Sequence, residues 1–294
     1  MPDLVVARPE GLYCVPGKFY IDPWRAVERT VITHGHADHS RTGHAHYGHR
    51  RWRRHPAQPL WQHQSIQALA YDETLIHYGV TISLHPAGHV LGSAQVRVEY
   101  QGEIWVASGD YKVEPDSTCA PFEPVRCDTF ITESTFGMPI YRWQPQQLVF
   151  DEINDWWRAN AANGRASVPF CYSFVKTQRI LSGVDPSIGP IICHGAAEPL
   201  NRVYRDGGVA LPATRLVTDI SDKADLKHAL VLAPPATAGS PWIKRFGDYS
   251  DAFASGWLLL PRCSLISTSR VRSTSIMVSC LSKPFSPIRS SGFL

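Results

Sequence analysis

Short runs rich in Val, Ile, Thr and aromatic residues, broken by turn residues, dominate the first 135 positions. FYID (19–22), VITH (31–34), VTISLHPA (80–87), QVRVEY (95–100), EIWVASGD (103–110) and TFITES (129–134) are predicted strands. QVRVEY alternates apolar and polar positions, as a strand with one solvent-facing side does. SIQALAY (65–71) fits a short helix between strands. Beyond residue 140 the period lengthens. In QQLVFDEINDWWRANAANG, Val149, Ile153, Trp156 and Trp157 share one helical face and Gly164 supplies a stop. A strand in SVPFCYSF (167–174), a short helix from Val175 to Leu181, a strand at IIC (191–193), a helix from Glu198 to Asp206 and a strand in HALVLAPP (228–235) follow. This alternation predicts a parallel α/β insertion or second lobe. There is no internal repeat.

Two segments break the pattern. Residues 258–294 hold ten serines, five Lys or Arg and no acid, with no period of 2 or 3.6. HRRWRRHPAQPLWQHQ (49–64) is similarly off-pattern. Such compositions form a packed core poorly. The tail is read as a replacement, by truncation or a change of reading frame, of a C-terminus that would have completed the fold.

The 294 residues are enough for one large domain or two modest ones with a real core. At 44% hydrophobic and 19% charged residues, the chain is too apolar for disorder. It carries no apolar run long enough to span a membrane and no secretory signal pattern, so a cytoplasmic location is expected. Seven scattered cysteines without a CxxC pair point to reduced thiols. The net charge of +3 is an average: residues 1–257 carry 24 Lys and Arg against 26 acids. Attraction to phosphate must therefore come from local patches.

Histidine is the sharper signal. Seven of the thirteen fall between His34 and His55. In Thr33-His34-Gly35-His36-Ala37-Asp38-His39, alternate residues of an extended segment point the same way, so His34 and His36 can converge on one ion. A following turn swings Asp38 and His39 towards a second. Imidazole suits Zn²⁺, and carboxylate oxygen suits a harder position or Mn²⁺. A solvated His-rich loop is the alternative for this string alone. Pro86-Ala87-Gly88-His89 places a histidine in a Gly-bounded loop, and Ser108-Gly109-Asp110 places a carboxylate at a strand end, where it can bridge two cations. Each by itself is also an ordinary loop or turn residue.

Taken in order, these motifs resemble the metallo-β-lactamase fold superfamily. Ile131-Thr132-Glu133-Ser134-Thr135-Phe136-Gly137 is similar to the acidic motif that opens its β-CASP nuclease branch. Arg8 to Cys14, Ala120 to Cys127 and Phe246 to Ala252 resemble the bacterial ligase-associated, mRNA 3′-end-processing-factor-like exonucleases. The resemblance implies an α/β fold, a four-layer αβ/βα sandwich with a β-CASP-like insertion, incomplete at the C-terminus. Residues 1–140 would form the core, 141–245 the insertion and 246–257 the return to the core, with 258–294 a disordered tail. It also implies a first metal held by His34, His36 and His89, a second held by Asp38 and His39, and Asp110 bridging them. The cofactors would be two divalent ions, Zn or Mn. Asp38 and Glu133 would serve catalysis, Glu133 by orienting ligand histidines or water.

The same resemblance implies a nuclease acting on DNA in preference to RNA, a 3′ exonuclease of repair, partnered with a DNA ligase or helicase. Lys176 and Arg179 are candidate nucleic-acid contacts, an exposed helix face explaining them almost as well. Arg50, Arg51, Arg53 and Arg54 with Trp52 and Trp61 could hold phosphates and stack bases, or form a solvated loop. Departures are equally clear. The family's Ser-Asp-His-Ala-Asp and Thr-His-Gly segments do not occur, and no histidine follows His228. The family's Gly-Lys-x-Gln-Arg step reads Val175-Lys176-Thr177-Gln178-Arg179, without its glycine. An impaired nuclease is expected, a small-molecule metallo-hydrolase or a non-catalytic relic being the alternatives.

Overall fold

A computed structural model describes residues 3–36, 39, 43–49, 65–134, 144–254 and 286–288. The chain divides into two units, Met1–Phe136 with Leu281–Leu294, and Gly137–Cys280. It is a mixed α/β protein with several sheets.

In the first unit the period-two segments pair into two six-stranded sheets. One runs in chain order through β1 (Val5–Arg8), β2 (Gly11–Cys14), β3 (Phe19–Ile21), β4 (Val27–Ile32), β5 (Gly43–His49) and β6 (Ser65–Leu69). Its first two pairings are antiparallel and the rest parallel. The other sheet contains β7 (Thr74–His77), β8 (Val80–Pro86), β9 (Ala94–Tyr100), β10 (Glu103–Ala107), β11 (Thr129–Thr132) and β16 (Ser286–Ile288), ordered β16-β11-β10-β9-β8-β7. Both sheets feed one apolar cluster, with Phe19, Ile21, Val31 and Leu69 from the first and Ile82, Leu84, Val96, Val98 and Trp105 from the second. Pleating therefore turns Ser83 and His85 of β8 to the face away from Ile82 and Leu84.

SIQALAY is not the helix its composition suggests. Residues 65–69 form β6, in parallel register with β5 from Ala45↔Ser65 to His49↔Leu69. The neighbouring strand β5 offers partners for its backbone, and this long-range pairing overrides the local preference. β5 itself, GHAHYGH, has poor strand composition and becomes a strand through β4 and β6 on either side. Of the tail, residues 286–288 pair antiparallel with β11, and the rest of 258–294 lies outside the described residues.

The second unit holds α1 (Gln146–Ala162), β12 (Ala166–Phe170), α2 (Lys176–Leu181), β13 (Ile191–Cys193), α3 (Glu198–Asp206), α4 (Lys223–Leu226), β14 (Leu230–Leu232) and β15 (Tyr249–Phe253). Its sheet is parallel throughout, ordered β13-β14-β12-β15. Every residue of the central strands β12 and β14 is buried, as in a sheet covered on both faces, and so is every residue of the three-residue edge strand β13. Leu230 and Leu232 pack into one cluster with Val149, Ile153 and Trp157 of α1, while Val231 joins Val168, Ile243 and Phe246 in another. Trp157 is fully buried and its Nε1 donates to the carbonyl of His228 at 2.9 Å. Of residues 246–257, read from sequence as the return to the core, 246–254 are described; they contain β15, which pairs with β12 of this second unit.

The missing glycine before α2 leaves a mark. Val175 sits at φ 71°, ψ −59°, and Lys176 N donates to Phe174 O at 2.9 Å, closing a γ-turn with positive φ. Such a turn is strained for any β-branched residue. Relief of about 1–3 kcal/mol of strain is of the same size as the roughly 1.5–3 kcal/mol of apolar burial that removing the valine side chain would forfeit. Val175→Gly is therefore expected to leave the unfolding free energy from urea melts within about 1 kcal/mol of the parent, although Val175 is only 2% exposed. A loss of 3 kcal/mol or more would mean that the turn stores no strain.

Candidate metal centre

β3 and β4 lie side by side in parallel register, Ile21 opposite Val31, so the residues that follow them emerge together. Asp22, at φ 43°, turns its carboxylate under the first histidine motif. Its Oδ1 accepts from Thr33 N at 2.8 Å; its Oδ2 accepts from the Thr33 hydroxyl and lies 2.8 Å from His39 Nδ1. With its hydroxyl hydrogen committed to Asp22, Thr33 Oγ1 can only accept at the 3.0 Å contact with His34 Nδ1. His34 and His39 thus each carry their proton on Nδ1 and present a lone pair on Nε2.

Those nitrogens face Asp110. The carboxylate follows β10 after Gly109, whose φ of 57° and closeness to Thr33 leave no room for a side chain: a Cβ there would lie 2.5 Å from Thr33 Oγ1. Asp110 Oδ2 is 3.6 Å from His34 Nε2 and 3.6 Å from His89 Nε2, while Oδ1 is 3.4 Å from His39 Nε2. The two oxygens of one buried carboxylate therefore face two different histidine sets. His36 Nδ1 completes the first set, 2.8 Å from His34 Nε2 and 3.4 Å from His89 Nε2.

His89 is held by its loop. The Ser93 hydroxyl oxygen accepts from the N–H groups of His89 and Val90, both at 3.1 Å, and Ala94 N donates to Thr33 O at 2.8 Å, tying the loop to the first motif. Gly88, at φ 71°, fits where a Cβ would be 2.2 Å from Lys112 O.

His34, His36, His89 and Asp110 bring one donor atom each within 4.8 Å of one another, and Asp22, His34 and His39 form a second such group. Three imidazoles and a carboxylate are a donor set suited to Zn²⁺ and related divalent ions. Burial, and the fields of His39, His36 and His89, push the His34 pKa well below its usual 6.5. His34 is therefore neutral and able to donate its lone pair at neutral pH. Between that depressed folded value and about 6.5 the unfolded chain binds the extra proton. The metal-free protein should accordingly lose stability as pH falls below about 6.5, which thermal melts across pH 5–8 would show; a flat profile would contradict the buried neutral assignment.

The other expected site residues are placed less centrally. Glu133 is half-buried two residues beyond Ile131, whose carbonyl accepts from Ser108 N at 2.9 Å, so it leaves its strand at the same sheet end as Asp110. Asp38 lies outside the described residues, as do Arg50 to Arg54 and Trp61. Lys176 and Arg179 do not sit on an exposed helix face: they are 2% and 3% exposed, and Lys176 Nζ stands 5.0 Å over the Tyr172 ring. All six residues of α2 are buried in the second unit, which packing around so short a helix explains. Asp22 is not signalled by the histidine motifs. The available clue is an acid ending the predicted strand FYID, as Asp110 ends EIWVASGD.

No protein-family profile matches the chain. A probable DNA ligase of Opitutus terrae is 28% identical over 85% of the chain, which covers 24% of that protein. The cleavage and polyadenylation specificity factor subunit 3 of Dictyostelium discoideum is 31% identical over 26% of the chain and 10% of its own length. The endoribonuclease ysh-1 of Neurospora crassa is 36% identical over 28% of the chain and 10% of its length. The chain thus spans a quarter or less of these relatives. A crystal structure of a protein of unknown function from Enterococcus faecalis shares the fold at a TM-score of 0.53, with 9% identity, over 77% of this chain and 62% of that one. No helix among the described residues is long and apolar enough to cross a membrane. The chain is thus similar over most of its length to part of a probable DNA ligase, and over about a quarter of its length to an endoribonuclease and to a cleavage and polyadenylation factor subunit, and it carries a histidine and aspartate cluster able to hold a divalent metal ion.

Proposed function

We propose that the chain is a phosphodiester hydrolase built on a four-layer αβ/βα core with a β-CASP-like insertion, and that it degrades DNA from a 3′ end. The observation that carries this reading is the orientation of Asp110, one oxygen towards His34 and His89 and the other towards His39. In this reading His34, His36, His89 and Asp110 hold one divalent cation, and Asp38, His39 and Asp110 hold a second. Zn²⁺ or Mn²⁺ there would supply Lewis-acid polarisation of a phosphate oxygen and activation of a water.

The chain's own residues prepare that site. Asp22 and Thr33 hold the Nδ1 protons of His39 and His34 outward, fixing both rings and their inward lone pairs. Glu133 acts as a positioning residue at the same sheet end. Lys176 and Arg179, being buried, would reach phosphate only through a change in the second unit. With no histidine after His228, the chain lacks a late-sequence histidine to serve as general acid. Loss of such a proton donor costs about 10²–10⁴ in rate, so the activity is proposed to be impaired.

DNA is favoured by the ligase relative, which matches most of the chain; the endoribonuclease relatives match about a quarter of it. A role in repair beside a DNA ligase or helicase, in the cytoplasm, belongs to the same proposal. The test is cleavage of a 3′-overhang DNA duplex, and of single-stranded RNA of the same sequence, with Mn²⁺ or Zn²⁺ and a His36→Ala control. Slow, metal-dependent shortening of the DNA from its 3′ end, lost in the control, is the expected result. Cleavage of RNA alone would overturn the substrate assignment. No cleavage by folded protein would favour a non-catalytic relic.

A further inference from the structure

We propose a separate divalent-cation site on the first unit, formed by Asp72, His85 and Glu123 and independent of the nuclease centre. The three residues come from three segments: the turn between β6 and β7, strand β8, and the loop that follows Asp110. Each carboxylate bearer is tied to β8 beside the histidine. Asp72 N donates to Leu84 O at 2.9 Å, one residue before His85, and Glu123 N donates to Pro86 O at 3.2 Å, one residue after it. Gln95 Nε2 adds a bond to Glu123 O at 2.7 Å. The backbone therefore fixes all three residues before any ion is bound.

One donor atom from each lies within 4.8 Å of the others. His85 Nε2 is 2.9 Å from Ser83 Oγ on the same strand face, which holds the ring in place. Its Nδ1 is buried, lies 2.9 Å from Asp72 Oδ1, and yet makes no hydrogen bond of acceptable geometry. At 2.9 Å the two atoms are closer than a pair of tetrahedral ligands about 2.0–2.2 Å from one ion would be, so a cation enters by a small rotation of the exposed Asp72 carboxylate away from the ring. In the tautomer whose Nε2–H donates to Ser83, the Nδ1 lone pair faces the Asp72 carboxylate with Glu123 within reach, and this negative charge is what a bound cation neutralises. One imidazole with two carboxylates suits a borderline divalent ion such as Zn²⁺. Asp72 is 66% exposed, so water can complete the coordination.

The consequence is mechanical. Lys112 N donates to Ala87 O at 3.0 Å, so the loop from Lys112 to Glu123 is joined to the end of β8 at both of its ends. A cation on Glu123 and His85 would brace that loop, which leads directly away from Asp110.

The experiment is equilibrium dialysis of the full chain against Zn²⁺, with Asp72→Asn and His85→Gln variants. Asp72 has φ 63°, a conformation asparagine also adopts, so Asp72→Asn keeps the turn, and circular dichroism confirms the fold. The expected result is one equivalent of Zn²⁺ fewer in each variant than in the parent. The same loss is expected in a His36→Ala, His89→Ala background, where the nuclease centre no longer competes. Unchanged stoichiometry and affinity in both variants would overturn the site and leave an Asp72–His85 ion pair in its place.

Discussion

Replacing Asp110 by Asn is expected to abolish most of the stabilisation that Zn²⁺ or Mn²⁺ confers on the protein. An ion that binds only the folded chain, at a thousand times its dissociation constant, adds about 4 kcal/mol. For units of this size that is a rise of roughly 8–16 °C in Tm. Asp110 provides the carboxylate that faces both histidine sets, at 3.4–3.6 Å, and it is buried. The asparagine retains the shape but loses the negative charge, and one of its two terminal atoms becomes a donor that repels a cation. Melting curves of parent and Asp110→Asn, with and without metal, measure the effect. Equal metal-induced shifts in the two proteins would mean that the ion binds elsewhere.

The second large effect is expected at Asp22, although that residue need touch no ion. Its carboxylate accepts from Thr33 N and from the Thr33 hydroxyl, and pairs with His39 Nδ1, all in a buried position. Asp22→Ala strands these donors in the interior, where each lost partner costs about 1–3 kcal/mol. It also places alanine at φ 43°. A total loss of about 3–5 kcal/mol is expected, in the range found when one member of a buried pair is removed. Freed of its outer hydrogen bond, the His39 ring can rotate, and the Thr33 hydroxyl that holds His34 loses its own anchor, so metal affinity should fall by about 10–100-fold. Asp22→Asn separates the two effects: it tolerates the same backbone and keeps one acceptor for Thr33, so stability recovers more than affinity does. Urea midpoints and Zn²⁺ titrations of both variants provide the measurement, and a stability loss below 1 kcal/mol in Asp22→Ala would refute the role.

What was legible in the sequence follows from how local each signal is. His34 and His36 are two residues apart, and their convergence needs only an extended backbone, so the motif displays it. His89 and Asp110 each carry a glycine directly before them, and both glycines prove to be sites where the chain packs too closely for a Cβ. Asp22 was hidden because it reaches the cluster through the register of β3 against β4, a pairing that no window along the chain contains. The helix expected at 65–71 gave way to a strand for the same reason, since its partner is β5. In the second unit, alternating apolar runs and long-period segments were enough to place α1, α2, α3 and the inner strands. The burial of Lys176 and Arg179 was not, because a six-residue helix shows no clear face until its surroundings are known.

The measurement that bears most directly on the account is anomalous diffraction at the zinc absorption edge from crystals of the full chain grown with Zn²⁺. The account predicts a peak among His34 Nε2, His36, His89 Nε2 and Asp110 Oδ2, and a second beside Asp110 Oδ1 and His39 Nε2. A folded chain with no peak at this cluster under saturating zinc would contradict it.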